Sequence, residues 1–535
     1  MSLQSKRIAA LSRDHRFQFK TVVIILLAGM AVAFGIGLWR GGESVGKYDQ
    51  MWAHFFERRG SGISSRKDCV KLLETARVAR QIYQDRLSRE EPGMPEVPAA
   101  GDLVDLMGGM RMLNEREAPL LMHYFTVLVT FSEVTPETLE KFKTAAAAEP
   151  VSGLLSSMHG DLLRLTGKYE ESLAAYERGA TDAETGADSR RRALDLCHRR
   201  NWKDKLLRLY YLPGWREAVL ERGAGDEQDN YETAVAAADW TGVLGLVWDN
   251  VWQRIKSPLW VTMAALTGLL WFLVIHVAAA VPVRRWWLGL AGVGCGLLSI
   301  PATHIIATMQ ESWLNGQEHG HGLNDILYCV SGIGLREELA KLLLFLPLLP
   351  FLRKLPAAQV LAVAASVGLG FAALENVQYF QRSEGSQVWG RFITANFLHL
   401  ALTGLTGLAL WQTVRDSRWL THFAGVFIAA VVFHGLWDFR PTDPRIAGDY
   451  HYFVVVGLAG LALYFFRELC RYTEPTPGVP SAVFIYLAGG ALLLSVLLSC
   501  LTWDNGFRLA LVDTFDPVLR LFAIGAAMFY QLRRA

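Results

Sequence analysis

The feature that most constrains this sequence is a series of long apolar runs that begins after Lys256 and continues to the end of the chain. About 20 consecutive apolar residues allow a helix to cross the hydrocarbon core of a bilayer. Backbone amides inside lipid must be satisfied within the protein, so runs of this length are typical of membrane helices. We therefore predict an all-α fold, a polytopic bundle of membrane helices.

About ten spans are expected. The first is TVVIILLAGMAVAFGIGLW, residues 21–39, and an alternative interpretation of it as a cleaved signal peptide rests on the AVA at 31–33. Because the apolar run continues past that point, we favour an uncleaved signal anchor. The other nine spans lie at about 257–281, 286–308, 324–352, 356–380, 391–414, 419–440, 449–467, 481–502 and 515–532.

Lys and Arg clusters occur at alternate ends of these spans, and basic residues are enriched on the cytoplasmic side of membrane proteins. This pattern predicts an integral membrane protein with both termini cytoplasmic, and we expect it in a bacterial inner or plasma membrane. The clusters are Lys6 to Lys20, Arg284 and Arg285, Arg353 and Lys354, Arg415 and Arg418, Arg467 and Arg471, and Arg533 and Arg534.

Three regions follow: a tail and anchor at 1–40, a polar helical domain at 41–256, and a nine-span membrane domain at 257–535. GKYEESLAAYERGA (167–180) resembles the second helix of a tetratricopeptide (TPR) repeat. A similar junction puts Trp202 in the place of Tyr169, an offset of 202 − 169 = 33, and a weaker copy contains Trp240. We expect an inserted, extracytoplasmic TPR-like domain that binds a protein partner; an irregular helical domain is the alternative.

Composition narrows the function further. Hydrophobic residues make up 52% of the chain, and the formal net charge of +2 argues against a nucleic-acid partner. The six cysteines form no CxxC pair, which argues against a zinc ribbon or redox motif. Cys69 and Cys197 both lie in the extracytoplasmic region, where a disulfide is permitted, but the sequence does not show that they are close.

Charged residues interrupt the fourth span, LREELAKLLLFLPLLPFLRK (335–354). A charge at mid-bilayer costs about 2.5–3.5 kcal/mol on insertion scales. Glu337 and Glu338 lie four and three residues before Lys341, so the lysine can offset one carboxylate and leave the other as a general base or acid. The alternative is an ion pair that only fixes helix packing.

Three neighbouring spans also contain polar groups, and this favours a shared functional cavity. The fifth has Phe371, Glu375 and Tyr379 on one face beside Asn376; the sixth has His399; the seventh has His434 and Asp438. Four adjacent spans with such costly groups indicate one polar cavity. The positions of these residues within their spans put the cavity in the outer half of the membrane.

Together these motifs resemble the PrsW family of intramembrane proteases, which is similar to the CAAX prenyl proteases. The matching elements are EExxK at Glu337, FxxxEN at Phe371, the histidine His399, and HxxxD at His434, over roughly 324–440. The resemblance implies hydrolysis of peptide bonds in membrane-anchored proteins, as the first, outer-side cut in a single-span regulator such as an anti-sigma factor.

The resemblance also implies roles for individual residues. Glu337 would activate water, and Glu338 and Lys341 would orient it. His434 and Asp438 would polarise the carbonyl or bind a metal, while His399 and Glu375 would complete the cavity. A zinc site formed by Glu375, His399, His434 and Asp438 and a metal-free glutamic protease with a histidine oxyanion hole both remain open, with a slight preference for the latter.

Two other function classes compete with the protease. A non-proteolytic receptor or scaffold would use the TPR-like domain to bind its partner, and a transporter would show repeated halves or broken helices. No internal repeat is visible among the spans. A further group, Glu318, His319 and His321, is expected to lie in a solvated loop.

Overall fold

A computed structural model describes residues 3–39, 117–129, 133–220, 227–314, 323–441, 444–471 and 479–533. Within these residues every regular element is a helix and there is no strand. The predicted all-α fold is therefore confirmed. Backbone contacts divide the chain into two units: an inserted unit, Val45–Leu246, and a membrane unit formed by Met1–Ser44 together with Val247–Ala535.

The chain begins with two helices of the membrane unit, α1 (Leu3–Leu11) and α2 (His15–Trp39). The helices that follow belong to the inserted unit, except that the last of them crosses into the membrane unit. They are α3 (Glu117–Val129), α4 (Pro136–Ala147), α5 (Gly153–Leu165), α6 (Tyr169–Gly179), α7 (Gly186–Arg199), α8 (Lys203–Tyr210), α9 (Arg216–Leu220), α10 (Glu227–Ala236) and α11 (Trp240–Ile255).

Three helix pairs of this region, α5–α6, α7–α8 and α10–α11, share one type of tight turn. Each turn contains a residue with positive φ, and the next amide bonds to the carbonyl five residues earlier, as in Lys168 to Leu163 and Trp202 to Cys197. Lys168 and Trp202 are thus equivalent, at an offset of 202 − 168 = 34, one residue more than the predicted 33. This is the TPR period, although the TPR-like assignment itself stays a prediction.

The remaining helices form the rest of the membrane unit. They are α12 (Pro258–Ala278), α13 (Trp286–Leu314), α14 (Leu323–Leu327), α15 (Leu335–Phe345), α16 (Leu349–Leu352), α17 (Ala357–Arg382), α18 (Val388–Ile393), α19 (Ala395–Arg415), α20 (Leu420–Asp438), α21 (Pro444–Arg471), α22 (Ala482–Asn505), α23 (Phe507–Arg520) and α24 (Phe522–Leu532).

Eight helices among the described residues are long and apolar enough to cross a membrane. Two of the ten predicted spans are instead assembled from shorter pieces. Residues 324–352 consist of α14, a π-helix, α15, a 3-10 turn and α16, and Pro347 and Pro350 explain the last interruption because proline cannot continue the hydrogen-bond ladder. The last span is split between α23 and α24, close after Pro517.

The helices α17 and α19 lie at the centre of the membrane unit. Of their most apolar stretches, 89% and 94% are buried, whereas the other spans reach at most 56%. Glycines allow backbone contact at this centre: a Cβ on Gly368 would lie 2.2 Å from the carbonyl oxygen of His399, and one on Gly370 would lie 2.1 Å from that of Val293. Such close contacts fix the distance between the polar residues of α17 and those of α19.

Candidate active site

Nine of the residues singled out in the sequence form one connected cluster inside the membrane unit. They come from four helices that are packed side by side. The contributions are Glu337, Glu338 and Lys341 from α15, Phe371, Glu375 and Asn376 from α17, His399 from α19, and His434 and Asp438 from α20.

The approach of α15 to α20 depends on an irregular segment. A π-helix, Tyr328–Gly334, leads directly into α15, and π-helical turns are frequent at functional sites. A Cβ on Gly334 would lie 2.4 Å from the carbonyl oxygen of Val431, and one on Gly435 would lie 2.4 Å from Cα of Val330. Because these contacts are between backbones, a larger residue would push α15 away from His434.

Glu338 is the carboxylate that pairs directly with both Lys341 and His434. Its Oε1 accepts from Lys341 Nζ at 2.7 Å and from His434 Nδ1 at 2.7 Å, and the residue is 2% exposed. A buried charge is tolerated when it is paired and hydrogen-bonded in this way. Glu338 therefore anchors both the lysine and the histidine.

Glu337 differs from its neighbour. Its Oε2 is buried and makes no hydrogen bond to the described residues, although His434 Nε2 lies 3.3 Å away and Lys341 Nζ 3.7 Å away. The side chain is 14% exposed. An acceptor oxygen that lies beside an ammonium group and an imidazole and is not saturated can take a proton from an incoming molecule.

His434 has two distinct ring nitrogens. Since Nδ1 donates to Glu338, the neutral ring presents the lone pair of Nε2 toward Glu337 and toward Asp438, whose Oδ2 is 3.5 Å away. A protonated ring would present an Nε2–H donor to the same space. This nitrogen can thus bind a metal or stabilise a developing oxyanion.

The nitrogens of His399 are both occupied. Lys341 Nζ lies 3.0 Å from Nδ1, and Glu375 Oε2 lies 3.0 Å from Nε2. The ring also lies 5.1 Å from that of Phe371, and Lys341 Nζ lies 4.1 Å above the Phe371 ring. His399 and Phe371 therefore enclose the ammonium group of Lys341.

Arg391 and Asn396 belong to the same network but were missed in the sequence. Arg391, on α18, donates to Glu375 Oε2 at 2.7 Å and to Asn376 Oδ1, and Asn376 in turn donates to Asn396 Oδ1. Arg391 is the first residue of the predicted span 391–414, and no role in the site is predicted for it from the sequence. An arginine inside the otherwise apolar segment VWGRFITAN was the available signal.

One group of metal-binding residue types is found among the described residues, and it differs from the predicted ligand set. Ligand atoms of Glu337, His399 and His434 all lie within 4.8 Å of one another. Glu375 instead pairs with Arg391 and His399. The cluster thus shifts the candidate metal position from Glu375 toward Glu337.

Two other predictions fall outside the described residues. Glu318, His319 and His321 are not described, and neither is Cys69, so the predicted loop and disulfide stay predictions. Cys197 is buried in the core of the inserted unit beside Leu194 and Leu206, where burial raises the pKa of its thiol to about 12.

Residues 284–464 match the family described as PrsW family intramembrane metalloprotease. This segment contains all nine clustered residues, and it favours the protease over the receptor and the transporter. No curated protein and no solved structure matches the chain significantly.

Proposed function

We propose that this chain is a PrsW-type intramembrane protease, which cleaves membrane-anchored proteins within or beside their membrane segment, with Glu337 activating water. The match of residues 284–464 to the PrsW family supports an integral membrane hydrolase. The open hydrogen-bonding capacity of Glu337 Oε2 is the observation that carries it.

The proposed reaction starts with a water molecule beside Glu337 Oε2. Glu337 takes a proton from this water while its oxygen attacks the scissile carbonyl carbon. When the C–N bond breaks, Glu337 returns the proton to the departing amine. The same carboxylate therefore acts first as general base and then as general acid.

Charge develops on the carbonyl oxygen during the attack, and two basic side chains, His434 and Lys341, lie close to Glu337. His434 Nε2 and Lys341 Nζ lie 3.3 Å and 3.7 Å from Glu337 Oε2. In its protonated form His434 can donate to the oxyanion, with Asp438 behind it at 3.5 Å. Donors that are fixed before the reaction stabilise such charge without reorganising.

The residues also fit a divalent metal. Glu337 Oε2 is an unsatisfied buried oxygen, His434 Nε2 is directed at it, and Glu338 fixes the His434 ring as carboxylates do for metal-bound histidines. A metal held by Glu337 and His434 would act as a Lewis acid on the scissile carbonyl. Metal analysis of the purified protein, with chelation and reconstitution, distinguishes this metallo form from a glutamic protease.

The test is cleavage of a single-span substrate in reconstituted vesicles, with the fragments identified by mass spectrometry. We expect wild type to cut and Glu337→Gln to leave the substrate intact. Glu468→Gln is the matched control, because Glu468 lies on α21 in the same unit with an equal 14% exposure and pairs only with Arg471 in the described contacts. Cleavage by Glu337→Gln at the wild-type rate would remove Glu337 from the mechanism.

The location of the site completes the proposal. The distribution of Lys and Arg supports cytoplasmic termini in a bacterial inner membrane, with the inserted unit outside. The substrate would then be a single-span protein with an outer segment, such as an anti-sigma-like regulator, which the TPR-like domain binds. Proteolysis of spheroplasts tests the orientation: protection of residues 41–256 from added protease would contradict it.

A further inference from the structure

Arg391 lies at the edge of the cluster and makes two further contacts besides its ion pair with Glu375. Its guanidinium donates through Nη2 to Glu375 Oε2 and through Nε to Asn376 Oδ1, and it stacks on Tyr379 at 3.6 Å. The side chain is only 12% exposed. Its three partners lie on α17, whereas Arg391 lies on α18.

The contact between Arg391 and Glu375 affects the hydrogen bonding of His399. Glu375 Oε2 accepts from Arg391 and lies 3.0 Å from His399 Nε2, so Nε2 must carry the proton. Lys341 has no acceptor, so His399 Nδ1 must accept from Lys341 Nζ at 3.0 Å. The two partners thus select one neutral tautomer of His399.

We infer that Arg391 is a positioning residue, which acts through Glu375 to fix His399 and thereby the ammonium group of Lys341. This inference rests on the proposed function, because Lys341 stands beside the carboxylate that is proposed to activate water. Arg391 itself touches neither Glu337 nor His434 in the described contacts. The route is a chain of hydrogen bonds: Arg391 to Glu375, Glu375 to His399, and His399 to Lys341.

The planar guanidinium is suited to this task and an ammonium group is not. Two nitrogens of one fork reach acceptors on consecutive residues, Glu375 and Asn376, while the flat face lies on Tyr379. A lysine offers a point charge without the fork or the face. Asn396 on α19 accepts from Asn376 and so holds the Asn376 side chain, whose Oδ1 accepts from Arg391, in place.

The first experiment is chemical rescue of the full-length protein in vesicles. We expect Arg391→Ala to lower kcat about 10–100-fold, the usual cost of removing a group that orients an active-site residue, with little change in KM. Millimolar guanidinium chloride should restore part of the rate, whereas equal sodium chloride should not. Arg391→Lys should remain impaired, and Arg382→Ala, an exposed arginine at the end of α17, should behave as wild type.

The second experiment does not depend on cleavage. Nitrogen-15 NMR of histidine-labelled protein should show a single Nε2–H tautomer for His399, assigned by its loss in His399→Gln. In Arg391→Ala this Nε2–H signal should shift, because Glu375 Oε2 is no longer held by Arg391, and it should return with guanidinium, while the other histidine signals report an intact fold. If wild type cleaves nothing, the proposed function fails, and this spectrum still decides the inference. An unchanged His399 Nε2–H signal in Arg391→Ala, or a loss of rate that guanidinium does not restore, would overturn it.

Discussion

Two buried carboxylates, one in each unit of the chain, have opposite hydrogen-bonding states. In the inserted unit, Asp161 accepts from Tyr124 at 2.5 Å, from Tyr176 at 2.6 Å and from Arg192 at 3.2 Å. In the membrane unit, Glu337 Oε2 has cationic neighbours but no hydrogen bond to a described residue. The first arrangement is saturated and the second is not.

This difference in hydrogen bonding distinguishes a carboxylate with a structural role from one that can react with a substrate. Burial and the Asp161 carboxylate raise the pKa of Tyr176 well above its ordinary value, so its hydroxyl stays protonated and remains a donor. Asp161 has no free oxygen to offer a substrate. Glu337 keeps an oxygen for a water molecule, while Glu338 beside it, which accepts from Lys341 and His434, resembles Asp161 in its role.

The largest expected effect is on stability, at the saturated acid. Asp161→Asn replaces one of the two acceptor oxygens by an amide donor and removes the charge that pairs with Arg192, and breaking a buried network of this kind costs about 3–5 kcal/mol. Hydrogen exchange of α5 and α6 amides should accelerate accordingly. Asp195→Asn is the control, because Asp195 forms an exposed pair with Arg199 and should cost less than about 1 kcal/mol. Slow exchange in Asp161→Asn would show that saturation does not mark a structural acid.

The second-largest expected effect is on catalysis and concerns His434, which lies next to Glu337. His434→Ala removes the donor beside Glu337, and deletion of one oxyanion donor typically costs about 10²–10³ in kcat. His422→Ala is the control on the same helix, since His422 is exposed and contacts Trp419. A wild-type rate for His434→Ala would contradict its role.

A smaller effect is expected from the backbone contact between α20 and the π-helix that precedes α15. Gly435→Ala would place a Cβ against the backbone of Val330, and forced packing of this kind costs about 1–3 kcal/mol. Both cleavage and thermal stability should fall. Gly425→Ala on the same helix meets nothing within 4 Å and should change neither. If the two variants behaved alike, the contact at Gly435 would not be needed to position α15 beside His434.

The smallest effect concerns substrate choice. Removal of residues 45–246, with the flanking segments joined, should leave Glu337-dependent cleavage of a loosely structured peptide while changing the relative rates of full-length substrates. A domain that holds a substrate raises its effective concentration at the site. Unchanged relative rates in the folded truncated protein would show that the inserted unit is not a selectivity filter.

Much of this organisation is predictable from the sequence, because the cost of charges in lipid makes residues such as Glu375 and His434 conspicuous. The helical fold and the clustering follow from spacing and hydropathy. The unequal states of Glu337 and Glu338 do not, because both lie within reach of Lys341 on one helix and only the position of α20 distinguishes them. Arg391 was missed because its partners on α17 are 15 and 16 residues away.

The measurement that tests the account most directly compares Glu337→Gln with Glu338→Gln for both cleavage and thermal unfolding. Glu337→Gln should reduce kcat by about 10²–10⁴, the range for a general base, without lowering the Tm, because no hydrogen bond of Oε2 is lost. Glu338→Gln should lower the Tm, because the acceptor that Lys341 and His434 share loses its negative charge and leaves the buried ammonium group without its ion pair. A Glu337→Gln protein that cleaves normally, or that unfolds more readily than Glu338→Gln, would contradict the account.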